Sequence, residues 1–102
     1  LKLGLKMKSI STSEIQLIAS DKPYAAIYTQ EQKFLDNKSL KEFEKMLDPA
    51  LFLRVHRSAI INPKYLKELK SRSNGDYDVL LENGESVRLS RHFRSNWQKL
   101  LQ

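Results

Sequence analysis

The sequence predicts a mostly β domain with one helix in mid-chain and a short helix near the C-terminus. Short strand-like segments recur, and two Asn-Gly dipeptides, Asn74-Gly75 and Asn83-Gly84, flank one of them. Asn-Gly is typical of tight hairpin turns, because it supplies positive φ. A chain of 102 residues, 40% hydrophobic and 9% aromatic, predicts one folded domain with a single core.

The first half of the chain is predicted to be mostly strands. Apolar residues and lysines alternate over residues 1–9, which predicts one half-buried strand. Further strands are predicted over 14–20, 24–29 and 33–35. Pro23 is placed in the loop between two of these strands, because proline lacks a donor for the ladder.

A helix is predicted to begin after Ser39. Ser39 and Glu42 form a capping box, in which each side chain satisfies a free backbone N–H of the first turn. Apolar residues recur at helical spacing and predict one buried face: Leu40, Phe43 and Leu47. Asp48-Pro49 ends the helix, which we interpret as a structural brace.

The central segment, residues 51–63, holds a polar cluster between two apolar runs. The runs 51–53 and 59–61 can anchor the backbone in a core, and the cluster between them comprises Arg54, His56, Arg57 and Ser58. These side chains can donate hydrogen bonds to phosphate and to base edges. A strand with a solvated polar segment is the alternative interpretation.

The second half adds a helical turn, more strands and the last helix. Asn62 and Pro63 predict a capped turn through Tyr65, and strands are predicted over 66–73, 77–81 and 86–89. The last helix opens after Ser90, and its inner face is predicted to hold Phe93, Trp97, Leu100 and Leu101. Its outer face would carry Arg91, Arg94 and Gln98.

The net charge of +6 lies mainly in the second half of the chain. Residues 51–102 carry ten Lys or Arg against five Asp or Glu, including all six arginines. Arginine suits bidentate contact with guanine and phosphate, so the pattern favours an anionic polymer as partner. A basic surface without a partner is the alternative.

Several function classes are not supported by the composition. The absence of cysteine excludes disulfides and thiolate metal sites and fits a reducing cytoplasm, and no apolar run approaches 18 residues, so we expect no membrane association. His56 and His92 lack nearby carboxylates, and three glycines form no phosphate loop. We therefore expect neither an enzyme nor a metal or other cofactor.

The central segment resembles the core motif of the LytTR family of bacterial DNA-binding domains. The motif comprises Phe52-Leu53-Arg54-Val55-His56-Arg57-Ser58 followed by Ile60-Ile61-Asn62. Supporting matches occur in the same order along the chain: Glu14-Ile15, Ser20 to Tyr24, Ser39-Leu40, Asn83-Gly84 and Leu89-Ser90-Arg91. The resemblance covers essentially the whole chain.

The resemblance implies an elongated stack of short antiparallel sheets with one mid-chain helix and a short C-terminal helix. Such domains bind double-stranded DNA by loops in successive major grooves. They follow a receiver domain in cytoplasmic response regulators of two-component systems and bind direct repeats as dimers. This chain would be a single output domain, residues 1–102, without the receiver.

Carried over by position, the resemblance places DNA contacts at Lys22 and Tyr24, at Arg57 and at Arg91. Arg57 and Arg91 each adjoin a serine at an element boundary, where a fixed backbone can direct a long donor outward. We also expect phosphate contacts from Arg54, His56, Ser58, Lys64, Arg88 and Arg94. A hydrogen-bonded structural role is the alternative for His56 and Arg54.

An RNA-binding or protein-interaction β module with a basic surface is the competing hypothesis. RNA modules display aromatic side chains on a sheet face to stack bases. In this sequence the aromatic residues lie among apolar neighbours, which indicates a core position for Tyr24, Tyr28, Phe34, Phe52 and Trp97.

Overall fold

The computed structural model describes residues 1–3 and 8–102. Its strands are β1 (Lys2–Leu3), β2 (Lys8–Ser9), β3 (Leu17–Asp21), β4 (Tyr24–Tyr28), β5 (Lys33–Asp36), β6 (Leu53–His56), β7 (Ala59–Ile61), β8 (Leu66–Ser71), β9 (Tyr77–Leu81) and β10 (Ser86–Leu89). Its α-helices are α1 (Leu40–Met46) and α2 (Arg94–Trp97), and its 3₁₀ turns are Thr12–Glu14, Pro63–Tyr65, Arg91–Phe93 and Gln98–Leu101.

The strands form two main antiparallel sheets. The central sheet has the strand order β5-β4-β3-β7-β6, the second sheet has the order β10-β9-β8, and β1 and β2 form a two-stranded sheet. The molecule measures 41 × 23 × 23 Å along its principal axes. The predicted elongated stack of short antiparallel sheets, with a mid-chain helix and a short C-terminal helix, is confirmed.

The central sheet is buried on both faces, so the protein has two apolar clusters where the sequence predicts one core. On one face α1 packs against the sheet, and the cluster includes Ile18, Phe43 and Ile60. On the other face the second sheet and the C-terminal helical segment pack, and that cluster includes Leu17, Ile61, Val79 and Trp97. Because neighbouring residues of a strand face opposite sides, a strand between two clusters is apolar throughout, as β7 is.

The predicted helix α1 has the cap that its sequence indicates. The Glu42 N–H donates to Ser39 Oγ over 3.1 Å, and the Ser39 N–H donates to Glu42 Oε1 over 3.0 Å. The Asn62 cap is also present, since Asn62 Oδ1 accepts the Lys64 N–H at 3.1 Å. Local side-chain hydrogen bonds thus determine where α1 and the turn Pro63–Tyr65 begin.

Three predicted strands have boundaries that are wrong by two residues or more. Lys2 pairs with Ser9 in an antiparallel ladder, so residues 1–9 are not one strand, and positions 4–7 lie outside the described residues. The strand predicted from residue 14 begins at Leu17, because Ser11 caps the 3₁₀ turn Thr12–Glu14. The strand predicted to residue 73 ends at Ser71, because Arg72 already belongs to the next turn.

The predicted last helix is correct in position and in its buried face but is not a regular α-helix. It consists of α2 between two 3₁₀ turns, with Ser90 as the cap. Trp97 is fully buried and donates from Nε1 to the Ser90 carbonyl over 2.8 Å. This bond ties the segment back to its own start.

A buried amide joins the two sheets at the end of the molecule that carries the Asn83-Gly84 turn. Gln16 is fully buried, and its Oε1 accepts the Asn83 N–H at 3.0 Å while its Nε2 donates to Gln30 Oε1 at 2.8 Å. Asn83 Nδ2 donates in turn to the Thr29 carbonyl over 3.0 Å. The sheets are therefore held in one relative position.

None of the helices in residues 1–3 and 8–102 has the length and apolarity needed to cross a membrane.

Candidate nucleic-acid interface

Arg57 occupies the tip of a two-residue turn between β6 and β7. His56 pairs with Ala59 across the ladder, which leaves Arg57 and Ser58 as the turn. Val55 and Ala59 are buried on either side, whereas Arg57 is exposed. The buried residues of β6 and β7 therefore hold the backbone from which this arginine projects.

Arg54 supports the turn from inside the fold. Its Nε donates to the His56 carbonyl over 2.8 Å, its Nη2 donates to the Arg57 carbonyl, and its Nη1 donates to Glu44 Oε1 over 3.0 Å. The guanidinium carbon lies 5.7 Å from the Phe93 ring centroid, and the side chain is 15% exposed. These contacts favour the structural role of Arg54 over the phosphate contact.

His56 and Ser58 close the same turn. His56 Nδ1 lies 2.8 Å from Ser58 Oγ and accepts the Ser58 N–H at 3.1 Å. Burial, and next the positive charge of Arg57, lower the pKa of His56 below 6.5. A neutral ring with Nδ1 as acceptor is what this geometry needs, which favours the structural role of His56.

The turn of Lys22 and Pro23 between β3 and β4 lies at the same end of the central sheet. Asp21 pairs with Tyr24 across the ladder, and the Lys22–Pro23 peptide bond is cis. The Ser20 N–H donates to the Ser58 carbonyl over 2.9 Å, which ties this strand end to the Arg57 turn. Tyr24 is 39% exposed and not in the core, contrary to the sequence interpretation.

Arg91 lies beyond β6 at this end of the sheet. The N–H of buried Ser90 donates to the Val55 carbonyl over 2.8 Å, which places Arg91 beside the Arg57 turn. Arg91 is exposed, and its Nη1 donates to the Asn74 carbonyl over 3.0 Å. We call this end, defined by Lys22, Arg57 and Arg91, the basic edge.

A groove runs from the basic edge to α1. The residues that bound it include Lys22, Tyr24, Arg57, Lys38 and Lys41, and we call it the basic groove. Lys38 is bound to buried Asp36, with Nζ 3.1 Å from Oδ1. Lys22, Lys41 and Arg57 are exposed, and in the described part of the chain none of them forms an ion pair.

Lys41 is the residue that sequence reasoning missed. The sequence interpretation treats α1 as a brace without chemistry, and a lysine on the polar face of a short helix is unremarkable in a sequence. Only the packing of α1 beside the β3–β4 turn brings Lys41 to the basic groove.

Of the remaining predicted phosphate contacts, Arg88 lies next to the basic edge, because Asp76 binds both its guanidinium and the Arg91 N–H. Arg88 Nη1 lies 3.3 Å from Asp76 Oδ2, and Arg88 Nε lies 3.5 Å from Asp78 Oδ1. Lys64 is exposed but follows the opposite end of β7, with Nζ 5.5 Å from the Tyr65 ring centroid. A further cation, Arg94, lies with its guanidinium carbon 5.3 Å from the Trp97 ring centroid.

No group of three or more His, Cys, Asp or Glu side chains is arranged for a metal ion in the residues that the structure describes. The candidate interface comprises the two turns, the cations described above and exposed Tyr24.

Comparison with known proteins identifies the family. The model of the LytTr DNA-binding domain matches residues 5–102. The transcriptional regulatory protein LytR of Staphylococcus aureus strain MW2 is 33% identical over 93 residues, which cover 91% of this chain and 38% of that protein. The sensory transduction protein LytT of Bacillus subtilis strain 168 is 27% identical over 101 residues, 99% of this chain and 42% of that protein.

A solved structure gives the same result. A chain described as the LytTr DNA-binding domain of a response regulator from Bacillus cereus superposes with a TM-score of 0.82 at 27% identity, over 90% of this chain and 84% of that chain. The present chain spans about two fifths of the length of the regulators that it matches. On the family match and the shared fold, the chain belongs to the LytTR DNA-binding domain family.

Proposed function

We propose that this domain binds double-stranded DNA in a sequence-specific manner, as the output domain of a cytoplasmic response regulator. The observation that carries the proposal is the basic edge. Three rigid segments present Lys22, Arg57 and Arg91 at one end of the central sheet, while Arg54, His56 and Ser58 are used within the fold. Side chains that project from a backbone fixed in this way are suited to reading a fixed surface such as a base edge.

The sheet order gives these contacts an order along the DNA. The Lys22 turn joins β3 to β4, the Arg57 turn joins β6 to β7, and Ser90 hydrogen-bonds to β6 from outside. Strands are about 4.8 Å apart, so the Lys22 turn and Arg91 are separated by roughly 17 Å of backbone before their side chains extend. The strand order puts Arg57 between the other two contacts, and we propose that the loops at the two ends enter successive major grooves.

We assign base contacts to Arg57 and Arg91 and phosphate contacts to Lys22 and Lys41. The two arginines can bond two acceptors of one guanine, each worth about 1–3 kcal/mol of discrimination. The lysines flank the basic groove and would neutralise the backbone without reading sequence. Tyr24, which is 39% exposed, would pack on a sugar or base at the groove wall.

The RNA-binding alternative is less well supported. Phe34 and Phe52 are 7% exposed and Trp97 is fully buried, so they cannot stack on bases. A duplex reader needs no such aromatic platform. The test should still include a single-stranded competitor.

We further propose that two such domains bind direct repeats. A single domain with a small interface should bind weakly, and linked or adjacent copies raise the effective concentration of the second contact. In the longer regulators this chain resembles, a receiver domain would control that pairing.

Selection from randomised duplexes at two salt concentrations tests the proposal. We expect a repeated motif to be enriched by the wild-type domain and not by Arg57→Ala. A charge-matched variant, Arg57→Lys, should keep the salt dependence but lose discrimination, because lysine cannot make the bidentate contact. Binding without a preferred sequence, or tighter binding to single strands, would overturn the proposal.

A further inference from the structure

The turn between β8 and β9 is built around Asp76. The Asp76 N–H donates to Asn74 Oδ1 over 3.0 Å, and the Asp76 carbonyl accepts the Arg72 N–H at 2.8 Å. Gly75 has a φ of +92°, a conformation that a side chain would strain. Asp76 is 8% exposed, so the turn holds a carboxylate that is almost fully buried.

Both carboxylate oxygens of Asp76 contact the segment at the end of β10. Oδ1 accepts the Arg91 backbone N–H at 2.8 Å, and Oδ2 lies 3.3 Å from Arg88 Nη1. The hydrogen bond from Arg91 contributes most to lowering the pKa of Asp76, with Arg88 adding to it and burial opposing it. At neutral pH this side chain is a carboxylate and can only accept.

Arg91 is held on this turn at three points. Its N–H is bound by Asp76, its Nη1 donates to the Asn74 carbonyl over 3.0 Å, and its stem packs over Gly75. A Cβ added to Gly75 would lie 3.7 Å from Arg91 Cδ, which is van der Waals contact. Ser90 anchors the other side of Arg91 through its bond to Val55.

We propose that Asp76 is a positioning residue for DNA recognition, which fixes Arg91 in the orientation that contacts its base pair. The inference rests on the proposed function, because Arg91 must contact DNA for its orientation to affect binding. Preorganisation reduces the entropy that an arginine loses on binding, and this favours the one sequence that matches its position.

Simple electrostatics makes the opposite prediction, and so the proposal can be tested. A carboxylate near the basic edge repels an anionic polymer, so its removal for charge alone should tighten binding to every duplex. A positioning role requires instead that binding to the preferred sequence weakens relative to binding to an unrelated sequence.

Asp78 is a matched control for Asp76. Asp78 Oδ2 lies 2.7 Å from Arg72 Nη1 and its Oδ1 lies 3.5 Å from Arg88 Nε, so it holds the neighbouring arginines and not Arg91. Asp76→Ala and Asp78→Ala remove the same charge from positions two residues apart, one in the β8–β9 turn and one in β9.

The experiment measures the Kd ratio, defined as the Kd for a scrambled duplex divided by the Kd for the selected duplex, at one salt concentration. We expect Asp76→Ala to reduce this ratio about fivefold or more, and Asp78→Ala to leave it unchanged. Asp76→Asn should reduce it less, because the amide oxygen can still accept the Arg91 N–H, and this variant carries the test if Asp76→Ala does not fold. An unchanged ratio in the Asp76 variants, or equal losses in the Asp78 control, would overturn the inference.

A double variant separates positioning from a general structural effect. In the Arg91→Ala background, Asp76→Ala should reduce the ratio no further, since the residue that it positions is gone. A full additional loss there would show that Asp76 acts through something other than Arg91 and would overturn the inference.

Amide hydrogen exchange in the absence of DNA distinguishes this inference from the proposed function. Asp76→Ala should accelerate exchange of the Arg91 N–H, and Asp78→Ala should not. If Arg91→Ala itself leaves the Kd ratio unchanged, the assigned role of Arg91 in the proposed function fails. If Arg91→Ala lowers the ratio but Asp76→Ala alters neither exchange nor the ratio, only the positioning inference fails.

Discussion

The guanidinium of Arg54 donates a hydrogen bond to the carbonyl oxygen of Arg57. The two arginines of the central motif therefore have different tasks. Arg54 is 15% exposed and binds three acceptors of the fold, whereas Arg57 is exposed at the tip of the turn that Arg54 holds. The largely buried Arg54 thus fixes the backbone that carries the exposed Arg57.

Arg54→Lys should lower the free energy of unfolding by about 1–3 kcal/mol, because an ammonium group cannot keep three bonds set by a planar guanidinium. Urea unfolding measures this. The matched control is Arg94→Lys, whose exposed position predicts a change below about 0.5 kcal/mol. Equal losses in both variants would show that Arg54 does not support the turn.

Lys41→Gln should reduce the slope of log K against log salt concentration by about 0.9, for the preferred duplex and a scrambled one alike. The reason is the loss of one phosphate contact at the basic groove. Lys67→Gln removes the same charge from the exposed side of β8 and should leave the slope unchanged. A reduced slope in the Lys67 variant, or an unchanged slope in the Lys41 variant, would contradict the proposed groove contact.

Gln16→Leu should destabilise the fold by about 1–3 kcal/mol, because the partly buried Asn83 N–H loses its acceptor. Thermal or urea unfolding measures the loss. Gln98→Leu, at an exposed position, is the control and should change little. Wild-type stability in Gln16→Leu would mean that this amide does not tie the sheets together.

Acid should destabilise the domain through His56. Its pKa is lowered from 6.5 in the folded protein, so the unfolded chain takes up the proton first. The stabilisation from the neutral ring is therefore complete above about pH 6.5 and is lost as the pH falls through the lower folded value.

Unfolding free energies measured between pH 7 and pH 5 test this effect. His56→Asn should remove part of the pH dependence, and His92→Asn, which alters an exposed histidine, should retain it. A His56 variant with the full wild-type dependence would contradict the assigned cause.

Local chemistry accounts for what the sequence predicts correctly. The capping box of Ser39 and Glu42 and the cap at Asn62 act within four residues, so their sequence is sufficient. The polar cluster in the central motif is also recognisable. The sequence alone does not separate Arg54 from Arg57, because their roles depend on Glu44 and Phe93, which approach only after folding.

Long-range packing accounts for the rest. The phosphate contact of Arg88 stays a prediction; its ion pairs arise because the β9–β10 pairing places it against Asp78 and the neighbouring turn places Asp76 beside it. Lys41 reaches the basic groove only because α1 packs beside the β3–β4 turn. Both outcomes depend on which elements become neighbours, and periodicity carries no such information.

The most direct test of the account is a loss-of-contact measurement on the selected duplex. Every base pair is substituted in turn, and affinity is measured for the wild-type domain and for Lys22→Ala, Arg57→Ala and Arg91→Ala. We expect Arg57→Ala to lose its sensitivity to base-pair substitution within one short stretch, and Arg91→Ala to lose it within another. The Arg57 stretch should lie between the Arg91 stretch and the phosphates contacted by Lys22. If Arg57→Ala and Arg91→Ala keep the wild-type sensitivity at every position, the basic edge does not read sequence.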